Sequence, residues 1–238
     1  MSKENSLQLI KSGNPLVDEV WNGFYKGGTY LVIGPPKSGK TILALQFALE
    51  ASSKKDSCLY LTTFKLNDLM INSSVIDIEL QNYIDQGIIT LTKIADPKDF
   101  NQTVDPDSNL RNYFGDIRKL IELYIPTRIV VDELTPFIEY DNLKLFSELF
   151  LGTKNYLQER GITGLYLFRE SEDSEFSKVQ SAISKLSMAC IHLSKQGNLV
   201  DKSNPGIMKI TPNSGHPEGK FSSKYYIEIP MGVKIIRK

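Results

Sequence analysis

The chain has 238 residues, with 28 Lys and Arg set against 28 Asp and Glu, so it carries no overall basic footprint for nucleic acid. Hydrophobic residues at 41% and charged residues at 24% match ordinary globular usage and exclude disorder as the default. The opening residues lack the apolar core of a signal peptide, and no apolar run approaches the ~20 residues of a membrane-spanning helix, so a soluble, cytoplasmic protein without membrane insertion is expected.

Taken in chain order, the first buried strand falls at Thr29–Ile33, followed by an Ala/Leu-rich helix from Thr41 to Ala51. Further continuous apolar runs lie at Cys58–Thr63, Gly87–Ile94, Arg128–Asp132 and Thr163–Phe168. Continuous apolarity, in place of alternation, is what a strand covered on both faces of a parallel sheet shows. Leu110, Phe114, Ile117 and Ile121 share one helical face, as do Leu143, Phe146, Leu149, Phe150 and Leu157. Strand and helix alternate, which predicts an α/β fold with a mainly parallel central sheet flanked by helices. After Leu186 the texture changes to four short strands, Ala189–Leu193, Ile207–Ile210, Lys224–Ile229 and Gly232–Ile236, separated by turn residues. These predict a C-terminal antiparallel extension of the same sheet, and one domain over residues 1–238. The polar loop Asp96–Ser108, with Asp105-Pro106-Asp107, reads as a solvated turn. Cys58 and Cys190 each sit in an apolar stretch and read as reduced, buried thiols.

Chemistry concentrates in Gly34-Pro35-Pro36-Lys37-Ser38-Gly39-Lys40-Thr41, which fits G-x-x-x-x-G-K-[ST] and follows a buried strand into a helix. Gly34 lets the chain leave the strand, and Gly39 lets the backbone approach a phosphate with no Cβ in the way. The N–H groups from Lys37 to Thr41, with Ile42 behind them, then face an anion at a helix N-terminus. Lys40 is placed to bridge the outer phosphates, and the Thr41 hydroxyl to take a Mg²⁺ position. The second half of a nucleotide site is a carboxylate ending another buried strand, and Asp132 supplies it as a water-mediated Mg²⁺ ligand. Glu133 follows directly and reads either as the residue that activates water or as a solvated loop residue.

These segments resemble the RecA-like P-loop ATPases, and most closely the KaiC-type branch with its circadian-clock and archaeal motility ATPases. Ser12–Pro15 with Val17–Val20 and Gly23 resembles that branch's N-terminal stretch, Lys26–Phe47 its phosphate-loop segment, and Val130–Asp132 its Walker B strand. Lys209–His216, followed by Tyr225–Ile229 and Gly232-Val233, resembles its C-terminal segment. The resemblance implies a five-stranded parallel core in which the Thr163–Phe168 strand separates the phosphate-loop and Walker B strands. It also implies ATP or ADP with Mg²⁺, and a homo-oligomeric ring such as a hexamer, or a filament, in which Lys209 meets nucleotide held by the neighbouring subunit. A regulatory protein partner, not identifiable from sequence, completes that expectation.

Two departures weaken hydrolysis more than binding. Phe64 and Lys65 stand where the family keeps a pair of glutamates, and Thr211 replaces the arginine that follows Lys209 by two positions. The leading expectation is an ATP-binding, assembling regulatory subunit with slow or absent hydrolysis. A recombinase-like DNA-binding ATPase is an alternative, opposed by the acidic run from Glu170 to Glu175, which would repel a phosphate backbone. Seven Lys and Arg against three Asp and Glu from Gln196 onward do not cluster into a patch. A KaiC-type auto-phosphotransferase is the other alternative, although no Ser or Thr is marked as acceptor. His192, His216 and Trp21 read as structural residues.

Overall fold

The computed structural model describes residues 8–51, 53, 55–94, 105–134, 142–170, 174–195 and 197–236. The elements run β1 (Leu9–Ile10), α1 (Pro15–Val20), β2 (Phe24–Tyr25), β3 (Thr29–Gly34), α2 (Lys40–Leu49), β4 (Cys58–Thr62), α3 (Leu66–Val75), α4 (Leu80–Asp85) and β5 (Ile89–Lys93). They continue with α5 (Pro106–Tyr124), β6 (Arg128–Asp132), α6 (Leu143–Glu159), β7 (Thr163–Arg169), α7 (Ser174–Leu186), β8 (Ala189–Ser194), β9 (Gly206–Pro212), β10 (Phe221–Glu228) and β11 (Gly232–Ile236).

Nine strands form one sheet in the order β11-β10-β9-β8-β3-β7-β6-β4-β5, and β1 pairs with β2 apart from it. Every residue of β3, β4 and β6 is buried, as their unbroken apolarity requires. The sheet separates two cores. On one side Leu43, Leu45 and Phe47 of α2 pack with Tyr60, Val130, Tyr225 and Val233. On the other, Leu110, Phe114, Ile117 and Ile121 of α5 meet Phe146, Phe150 and Leu157 of α6 beneath Leu31, Leu61 and Val131. Strands alternate their side chains between these layers, so each β3 residue commits to one core.

Three expectations change. The first C-terminal strand, β8, runs parallel to β3 and antiparallel to β9, so the parallel part has six strands and the antiparallel extension starts at β9. Asp105-Pro106-Asp107 is a helix start, because the Asp105 carboxylate accepts from the Ser108 N–H at 3.0 Å and Pro106 occupies the first turn of α5. The remainder of that predicted loop, 96–104, lies outside the described residues. The acidic run after Arg169 leads directly into α7, and its positions 171–173 are likewise outside them. Cys58 and Cys190 are free and buried, and burial pushes the Cys58 thiol up to about 12. No described helix is long and apolar enough to cross a membrane.

Of the structural readings, Trp21 is buried and stacks on His216 with ring centroids 3.8 Å apart. His216 also shares a hydrogen bond with the Tyr30 hydroxyl at 3.2 Å, which accounts for its buried ring. These contacts tie the segment after β9 to the N-terminal segment.

Candidate functional site

The parallel strands all end on one edge of the sheet, where β3, β7, β6 and β4 deliver Gly34, Arg169, Asp132 and Thr62 in adjacent registers. Side chains and loops at such carboxyl ends are where open α/β sheets hold ligands. A Cβ on Gly34 would stand 2.6 Å from the Leu193 carbonyl oxygen and 2.8 Å from Ser38 Oγ, so only glycine lets the chain leave β3 here. Gly39 has φ +88°, the left-handed conformation that sets the start of α2. No side chain caps that helix, so its first-turn N–H groups remain donors for an anion. Ser38 Oγ is buried and has no hydrogen-bond partner among the described residues, a second polar group awaiting an acceptor or donor.

Lys40 is buried, with Nζ donating to the carbonyls of Gly34 (2.9 Å) and Pro35 (3.1 Å). Burial lowers its pKa, and the negative charges of Glu133 and Asp132 oppose that shift. Asp132 is almost wholly buried at the end of β6. The Tyr60 hydroxyl donates to its Oδ2 at 2.8 Å, and the Thr41 hydroxyl is hydrogen-bonded to the same carboxylate. Burial nevertheless raises Asp132 to about 6, the hydrogen bonds from Tyr60 and Thr41 working against the shift. Tyr60 itself is held well above its ordinary value by burial and by the Asp132 charge.

Lys37, Ser38, Gly39, Lys40, Thr41 and Ile42 line a cleft of about 600 Å³, the size class of small-molecule sites. Gly34 and Pro35 act from behind the cleft by receiving Lys40, and Pro36 is exposed on the loop. The far wall is Asn72 and Val75 of α3, Ile227 of β10, and Lys195, Asn198, Leu199 and Val200 after β8. Sequence reading missed this wall, whose members come from three separated segments with no motif among them.

Glu133 lies beside Asp132, is buried, and pairs with Arg169 through Nε at 3.6 Å. Its solvated-loop reading is therefore overturned. Beyond β4, Thr63, Phe64 and Lys65 follow, and the Phe64 ring is 39% exposed, so this strand end brings no carboxylate to the edge. Lys209 does not line the cleft. It sits in a separate depression with Glu170, His192 and Thr211, and shares a register position with His192. His192 is lowered by burial, with the Glu170 charge raising and the Lys209 charge further lowering it.

A glycine-bounded loop at an uncapped helix start, a buried lysine, and a threonine bonded to a buried aspartate at a second strand end define a P-loop ATPase of the RecA-like kind. Residues 10–235 match the family described as the KaiC ATPase, and the chain belongs to that family. It is 28% identical over 161 residues, 66% of its length, to the circadian clock protein KaiC2 of a Synechocystis species, and covers 27% of that protein. It is 24% identical over 168 residues, 70% of its length, to the circadian clock oscillator protein KaiC of Prochlorococcus marinus, covering 32% of it. The chain thus spans roughly a third or less of these relatives. A KaiC-like protein of the archaeon Pyrococcus horikoshii superposes with a TM-score of 0.75 at 19% identity, over 97% of this chain and 100% of that one. That likeness establishes the fold.

Proposed function

We propose that this chain binds Mg-ATP or Mg-ADP in the cleft and acts, as one domain, as a nucleotide-dependent assembling subunit with slow or absent hydrolysis. The observation that carries the reading is the uncapped α2 N-terminus set beside the Thr41–Asp132 pair. The N–H groups and Ser38 hold phosphate oxygens, Lys40 turns from the loop carbonyls to the outer phosphates, and Thr41 with Asp132 holds Mg²⁺. When bound, Mg²⁺ neutralises phosphate charge. The apolar wall of Val75, Leu199, Val200 and Ile227 suits the flat face of a nucleobase.

Slow hydrolysis follows from the carboxylates available. An attacking water needs an acceptor within hydrogen-bond reach, worth about 10²–10⁴ in rate. β4 supplies Phe64 and Lys65 where a pair of carboxylates would be needed, which leaves Glu133, paired with Arg169 until a third phosphate draws that arginine away, as the carboxylate beside Asp132. The off-cleft position of Lys209 supports a role toward nucleotide on a second copy, within a ring whose regulatory partner is a separate protein.

The test is calorimetry of Mg-ADP on wild type and Lys40→Ala. The variant should bind at least tenfold more weakly, because a charge-assisted contact to phosphate contributes about 1.5–3 kcal/mol. Equal affinities would reject the assignment. Turnover above about 1 s⁻¹, in the low range of typical enzymes, would reject the slow-hydrolysis part.

A further inference from the structure

Arg169 occupies a strand end that touches both halves of the site. In the sheet it stands opposite Gly34, and the next N–H, that of Glu170, donates to the Gly34 carbonyl at 3.0 Å. Lys40 Nζ donates to the same carbonyl at 2.9 Å. The end of β7 is therefore fixed to the start of the phosphate loop, and the Arg169 charge acts on Lys40 directly. On its other side, Arg169 Nε lies 3.6 Å from Glu133 Oε1. The two partners differ in environment, the Glu133 side chain being 6% exposed and the Arg169 side chain 53%.

That asymmetry has a consequence for an anion. A buried carboxylate next to Lys40 repels a phosphate reaching past it, and a cation at Glu133 offsets the repulsion. A guanidinium carries five donors in a planar fork that matches phosphate oxygens, and its half-solvated position lets it change partners at small desolvation cost. The loop N–H groups serve the inner phosphates and Lys40 bridges the outer ones, so the added charge of a third phosphate exceeds what Lys40 alone offsets and draws Arg169 from Glu133.

We infer that Arg169 is a same-chain ligand of the outermost phosphate, exchanging between Glu133 and that phosphate, and so distinguishes nucleoside triphosphate from diphosphate. The inference rests on the nucleotide reading above and adds a selectivity to it.

The experiment is calorimetry with Mg-ADP and with a Mg-bound non-hydrolysable triphosphate, the β,γ-imido analogue of ATP. Arg169→Ala should weaken triphosphate binding at least tenfold while diphosphate affinity stays within about twofold. Arg169→Lys should recover part of the triphosphate affinity, since it keeps the charge and loses the fork. Glu133→Gln should raise the triphosphate-to-diphosphate preference several-fold by releasing the arginine. Arg169→Gln, polar and of similar length, gives the same split if the alanine variant fails to fold. Equal weakening of both nucleotides, or of neither, overturns the inference while leaving the binding site in place. Wild type that binds neither nucleotide overturns the site reading itself.

Discussion

Asp132 shows how a single residue trades stability for binding. Its carboxyl is held near 6 by burial against an ordinary value of 3.8. The folded chain therefore binds a proton that the unfolded chain releases between these values, and stability falls as pH rises through that window. The penalty is absent below about pH 4 and complete above about pH 6, where it amounts to about 3 kcal/mol. Asp132→Asn keeps an oxygen for the Tyr60 hydroxyl and removes the buried charge. In metal-free protein at pH 7.5 the variant should be the more stable by about 1–3 kcal/mol in urea unfolding, with the gap closing toward pH 4. It should at the same time lose the Mg²⁺ dependence of nucleotide affinity. A gap that does not vary with pH would mean that the carboxylate charge is not the source. Asp132 and the phosphate loop were legible in sequence because their chemistry is local to a strand end and a fixed spacing. Tyr60 was not, since its partner is 72 residues away and is set by β4 and β6 lying in register as Tyr60 beside Val130 and Thr62 beside Asp132. Arg169 and Tyr225 escaped for the same reason.

Among the elements, the antiparallel extension does more than widen the sheet. The Tyr225 hydroxyl of β10 donates to the Ser38 carbonyl at 2.8 Å in a buried position. Ile227 and Val233 lie within 4 Å of where a Gly39 Cβ would stand, and the Val233 N–H donates to Gln46 of α2 at 3.2 Å. The extension thus backs the phosphate loop and the first turns of α2 from one side. Tyr225→Phe leaves the Ser38 carbonyl buried without its donor, a change worth about 1–3 kcal/mol. Nucleotide affinity should fall about three- to tenfold, and amide exchange at Gly39–Thr41 should quicken relative to the β3 amides. Unchanged exchange at the loop would show that β10 does not brace it. Strands β3, β4, β6 and β7 were legible because double-sided burial writes itself as unbroken apolar runs. The direction of β8 was not, because the pairing partner that makes it parallel is β3, distant in sequence. Helix α7 was hidden by charge: Val179 and Ile183 are its buried contacts among the described side chains, too few to stand out beside an acidic run.

For the whole molecule, the cleft is half of what the proposed assembly needs. Val75 and Val200 on its wall are 45% and 47% exposed. Scattered apolar residues are ordinary on a surface, whereas two exposed valines facing one cleft are suited to cover by another macromolecule. Lys209 lies off the cleft, and in the proposed assembly a second copy seated over the cleft brings this lysine to a bound phosphate. Nucleotide held between copies binds the assembly more tightly than the monomer, and by linkage stabilises it in proportion to the logarithm of its concentration over Kd. Light scattering at micromolar protein should therefore give a larger species in saturating Mg-ATP than without nucleotide. Lys209→Ala should shift that equilibrium toward monomer by at least tenfold, since a charge-assisted contact contributes about 1.5–3 kcal/mol. Thr211→Arg should shift it the other way by supplying a second cation on the same strand face, two residues along β9. A chain that stays monomeric in saturating Mg-ATP would place Lys209 outside the nucleotide chemistry and leave the exposed rim to a different partner.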